Sequence, residues 1–183
     1  MPMSNEFPDD LGKEVSSDFR GIERQAKESI RVFISGSYKD KTDEQTLISF
    51  KDSLYREGIT GAFLMRDVPV APELEKQLDK KFLAIWNRIK SRNPCFILYA
   101  GKSAESSQGF LAEMSTIHNN EEMLNNAYLF RIEGVQLPHI VEDFPYVRDI
   151  KDEKQFFELA WKVVQSKINL RKTYLTHAKA ERK

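Results

Sequence analysis

Glu113 is the one carboxylate in the stretch SSQGFLAEMS (106–115), six positions after Ser107 and four after Gly109. Its plain reading is helix surface: serine is a favoured N-cap, and glutamate is a good helix former that usually faces water. The same spacing also suits chemistry. In a helix capped by Ser107, Glu113 falls in the second turn, and helical side chains lean toward the N-terminus. Gly109, one turn earlier on the same side, leaves open the space through which the carboxylate could reach a ligand. A carboxylate, an open space and a helix N-terminus together suit a sugar.

A second stretch, SGSY (35–38), carries the same two readings. Gly36 can let backbone approach a ligand, Ser37 can donate a hydrogen bond and Tyr38 can wall a pocket. As plain structure it is a strand-to-helix turn whose glycine serves geometry alone. The phosphate-loop lysine pattern and the glycine spacing of a dinucleotide fingerprint are both absent, so neither site is expected. His118, His139 and His177 lie far apart and form no ligand spacing with Cys95. No metal or other cofactor is expected, and Cys95, opening an apolar strand, is read as core.

The elements that must position these residues alternate along the chain. RVFISG (31–36), CFILYAG (95–101) and AYLFRI (127–132) are apolar runs of the kind found in strands buried on both faces. ITGAFLMRD (59–67) reads as a further strand and YVRDI (146–150) as a short one. Phe19, Ile22, Ala26 and Ile30 follow a helical stripe behind Ser16 or Ser17. Thr42 with Gln45 forms a capping box ahead of Leu47, Phe50 and Leu54, and Gly58 closes that helix. Leu74, Leu78, Phe82, Ile85 and Ile89 mark a long helix after Pro72. Phe110, Leu111, Met114 and Ile117 mark the one carrying Glu113, and Phe157, Trp161, Val164 and Ile168 the last. Tyr128 and Phe130 are read as sheet packing.

Such alternation predicts an α/β fold: a flavodoxin-like three-layer sandwich with a parallel sheet of about five strands in the order 2-1-3-4-5. Ligands in that topology sit beyond the carboxyl ends of strands 1 and 3, where SGSY and the loop before Glu113 both emerge. The chain is read as a polar disordered tail over 1–15, one domain over 16–175 and a basic tail over 176–183.

The totals limit the partners. The 183 residues carry 28 Lys and Arg against 28 Asp and Glu, so nucleic acid is not an expected partner. One cysteine allows no intrachain disulfide and makes a reducing cytoplasm the expected setting. The start, MPMSNEFPDD, lacks the pattern of a secretory signal, and no apolar run reaches membrane-spanning length. The basic end, with six Lys and Arg and one Glu over 166–183, is explained by the helix macrodipole.

Taken together, VFISGSY and SQGFLAE resemble the nucleoside 2-deoxyribosyltransferases and their relatives across roughly residues 31 to 132 in element order. Gly36 and Tyr38 match the family's first loop; Ser107, Gly109 and Glu113 match the run leading to its nucleophilic glutamate. The resemblance implies a nucleoside or nucleotide ligand, double displacement at an N-glycosidic bond through Glu113, and a homodimer. It makes Ser107, Gly109, Gly36, Ser37 and Tyr38 the residues shaping the sugar and phosphate end. The departing base needs a proton or hydrogen bond, for which Asp67 at the end of the second strand is a candidate; its plain reading is a turn residue before Val68-Pro69. The chain departs from the family in one place. Where the helix before strand 3 usually carries an aspartate, AIWNRIKSRNP has none. RVFISGSYKD also resembles the start of a TIR domain, which implies NAD binding or cleavage. A non-catalytic ligand-sensing or interaction module on the same fold is the competing class.

Overall fold

The computed structural model describes residues 10–74 and 76–182. Its elements are α1 (Asp10–Ser29), β1 (Arg31–Gly36), α2 (Lys41–Arg56), β2 (Ala62–Leu64), α3 (Leu78–Ile89), β3 (Pro94–Ala100), α4 (Gln108–His118), α5 (Glu121–Leu124), β4 (Ala127–Ile132), β5 (Val147–Ile150) and α6 (Glu153–Ala180). The strands form one sheet in the order β2-β1-β3-β4-β5, every pair parallel. This is the flavodoxin-like arrangement the alternating pattern predicts.

Strand side chains alternate between two cores. Val32, Ile34, Cys95, Ile97 and Tyr99 pack on one face with residues of α1, α2 and α6. Phe33, Phe96, Leu98 and Leu129 pack on the other with residues of α3 and α4. Every residue of β3 is buried, as a central strand covered on both faces requires. Cys95 is core, and burial pushes its thiol up to about 12.

Several elements differ from their sequence pattern for identifiable reasons. The cap of α2 is Asp40, whose side chain accepts from the Thr42 N–H, so Thr42 lies inside the helix. β2 is only three residues long: Gly61 precedes it, and Met65–Asp67 turns into a 3-10 helix. A Cβ at Gly61 would come within 2.3 Å of the Ile30 carbonyl oxygen. Leu74 continues the apolar stripe of α3 but sits in a turn bonded to Ala71, four residues before the helix starts. The inward face of α6 is Phe156, Ala160, Val163, Val164 and Ile168, with Phe157 and Trp161 only partly buried.

The ends differ as well. Positions 10–15, read as tail, belong to α1, and α6 runs on through positions 176–180, read as a basic tail. The rest of the expected N-terminal tail, 1–9, lies outside the described residues. α1 and α6 pack together through Arg171 Nε to Ser29 Oγ at 3.1 Å and Lys172 to Glu23 at 3.7 Å.

Candidate functional site

Glu113 is buried, with 6% of its surface exposed, on the second turn of α4. Ser107 caps that helix by accepting from the Phe110 N–H, so the predicted cap holds. The Glu113 carboxylate points back across the sheet to β1, where its Oε2 is hydrogen-bonded to the Ser35 hydroxyl. Ser35 and Glu113 are 78 positions apart in the chain. They meet because β1 and β3 are neighbours and α4 follows β3.

A cavity of about 360 Å³ opens beside this pair. Gly36, Tyr38 and Lys39 line one wall, and Ser107, Gly109 and Glu113 the other. It lies beyond the carboxyl ends of β1 and β3, where a 2-1-3-4-5 sheet reverses its strand order. A Cβ added to Gly109 would meet nothing within 4 Å, so this glycine leaves open space at the start of α4. Gly36 has a different reason to be glycine. Its Cβ would come 2.7 Å from the Tyr99 carbonyl oxygen and 3.0 Å from Leu47, so the approach of β1 to β3 requires it.

Electrostatics single out the carboxyl. Burial pushes Glu113 up to about 8, and the Ser35 hydrogen bond and the Lys81 ammonium oppose that rise. Lys81 is itself buried, on α3, which packs against α4. The Tyr38 hydroxyl is raised from its usual range, first by burial and then by Glu113. Tyr38 lines the same cavity, while its Oη is buried out of reach of solvent with no hydrogen-bond partner among the described residues. The Tyr38 ring is held from outside by the Arg66 guanidinium, 4.6 Å from its centroid.

No family model, curated protein or solved structure matches this chain.

The predicted site residues therefore divide. Glu113, Ser107, Gly109, Gly36 and Tyr38 line one cavity. Ser37 does not line it; fully buried, it bonds to Ser103 behind the loop. Asp67 does not line the cavity; it is exposed and paired with Lys51 at 3.7 Å and Arg66 at 3.6 Å. Its turn role is the one the geometry supports. Ser35 and Lys81 were missed: one is a small polar residue inside an apolar strand, the other a lysine in an ordinary helical pattern. Among the described residues no cluster of His, Cys, Asp and Glu could hold a metal ion. Another cavity, of about 660 Å³, lies at the amino ends of β3 and β4 beside Asn93, Asn126 and Lys167. It is remote from Glu113 and on the edge of the sheet that ligands of this topology do not use.

Proposed function

We propose that this protein binds a nucleoside or nucleotide in the Glu113 cavity and cleaves or exchanges its N-glycosidic bond. The observation that carries the reading is a buried carboxylate at the β1/β3 reversal point, facing a cavity that Tyr38 and Gly109 also line.

Glu113 attacks the anomeric carbon in its ionised form. The carbon–nitrogen bond breaks with its electron pair going to the base, which takes up a proton from water at the mouth. A glycosyl ester on Glu113 remains, and water or a second base resolves it. The charge developing on the sugar is positive, so an anion held in a low-dielectric cavity stabilises it. Ser35 fixes the carboxylate, Tyr38 walls the cavity, and Gly109 leaves room for the sugar. Homodimerisation belongs to the same proposal.

One feature favours a non-catalytic binding module instead: burial pushes the Glu113 carboxyl up to about 8, against the ionised form a nucleophile needs. Incubation with a panel of nucleosides, nucleotides and NAD, read by chromatography for released base, separates the two. Release by the wild type that Glu113→Ala lowers at least a hundredfold supports the enzyme. Equal release by both proteins removes Glu113 from the chemistry. Binding without release leaves the module.

A further inference from the structure

A second group of buried polar side chains lies outside the cavity, and the proposed reaction does not use it. Asp43, in the first turn of α2, is 3% exposed. Its Oδ2 accepts from the Ser103 N–H at 2.9 Å and from the Ser103 hydroxyl at 2.6 Å. Ser103 Oγ is also 2.7 Å from the hydroxyl of Ser37, which is fully buried. A carboxylate only accepts, and Ser103 has a single hydroxyl proton, so that proton goes to Asp43. Ser37 must then donate to Ser103, and Ser37 Oγ in turn accepts from the Lys39 N–H, 3.2 Å away. The sense of the whole chain is set by Asp43.

The position of this chain gives it meaning. Ser37 belongs to the β1–α2 loop, between Gly36 and Tyr38, which both line the Glu113 cavity. Ser103 belongs to the β3–α4 loop, four residues before the cap Ser107 on the opposite wall. The two walls are joined a second time at the rim, where the Lys39 ammonium donates to the Ser106 carbonyl. Asp43 also occupies the space a side chain at 101 would need: a Cβ on Gly101 would come 2.1 Å from Asp43 Oδ1. A buried carboxylate is expensive unless donors meet it, and here both donors, the N–H and hydroxyl of Ser103, belong to the β3–α4 loop.

We infer that Asp43 is a positioning residue, which acts through Ser103 and Ser37 to hold the two loops at the separation that forms the Glu113 cavity. Its effect on turnover rests on the proposed function; its effect on the loops does not.

Amide hydrogen exchange, resolved by NMR, tests the loop half without any substrate. Asp43→Ala is expected to speed exchange at Ser103 and Lys39 at least tenfold, while β1 and β3 amides stay unchanged. Asp43→Asn keeps one acceptor oxygen and is expected to restore most of the protection. Ser103→Ala breaks the hydroxyl chain but keeps the backbone N–H to Asp43, so it should expose Lys39 and spare residue 103. Should Asp43→Ala fail to fold, the Ser103→Ala pattern carries the decision. Unchanged Lys39 exchange in Ser103→Ala overturns the inference. With any nucleoside the wild type turns over, Asp43→Ala should raise KM at least tenfold with a smaller loss of kcat. A pure kcat loss would overturn the positioning role, and no turnover by the wild type would remove the proposed function and leave the exchange result standing.

Discussion

Glu113 makes the stability of this protein depend on pH. Its carboxyl titrates near the ordinary 4.5 when unfolded and at about 8 when folded. A raised folded value means that the native state keeps a proton the unfolded chain releases. The stabilisation is full below about pH 4.5 and lost as pH rises toward 8, at about 1.4 kcal/mol per pH unit. Urea unfolding of the wild type and Glu113→Gln at pH 5 and pH 8 should show this as a difference that swings toward glutamine as pH rises. The proposed nucleophile must be ionised, so base release should climb with pH and level off above about 8; a rate that falls over this range would make Glu113 an acid instead. Lys81 opposes the rise of Glu113, and Lys81→Met should move the rate profile and the carboxyl ¹³C titration to higher pH. At the same scale, the sequence made Glu113 visible by its spacing from Ser107 and Gly109. Nothing local tied it to Ser35, because that contact spans two elements brought together by strand order.

The elements sort the glycines by purpose. Gly109 begins α4 with open space over its Cα, so Gly109→Ala should leave the fold intact and stabilise it by about 0.5–1 kcal/mol through helix propensity. It should also weaken ligand binding by filling the cavity. Gly36→Ala would press a methyl group on the Tyr99 carbonyl and should cost about 1–3 kcal/mol in thermal or urea unfolding. Equal effects from both substitutions would contradict these assignments. Both glycines were legible as site residues, but only geometry shows that one shapes the cavity and the other the sheet. The central strands were legible because burial on both faces leaves a continuous apolar run. The start of α3 was not, since Leu74 keeps the stripe while its backbone is in a turn. The register of α6 was hidden in the same way: Phe156 and Phe157 are adjacent, and the larger stripe of aromatics is not the buried one.

For the whole molecule, the two helices at the ends of the chain brace one face of the sheet. Ile168 is fully buried in α6, and Arg171 reaches α1. Truncation after Ser166 should therefore loosen α1 and lower the melting temperature by several degrees or abolish folding, whereas truncation after Leu175 should change it little. A large loss from the second truncation would show that the last turns of α6 belong to the core. The fold class was legible at this scale because the order of strands and helices leaves few topologies. The chain ends were not: high polarity reads as tail, yet a charged helix packed along one side has the same composition. Among the described residues no helix is long and apolar enough to cross a membrane.

Asp43 and Gly101 share one volume, the carboxylate standing where a side chain at 101 would be. Neither position is free to drift by itself. Any residue larger than glycine at 101 evicts the acid, and a smaller residue at 43 leaves the Ser103 hydroxyl and N–H without their acceptor. A lineage that keeps this pocket should exchange the two positions together or not at all. Their joint history across diverging sequences would then record the pocket even where Glu113 has been lost.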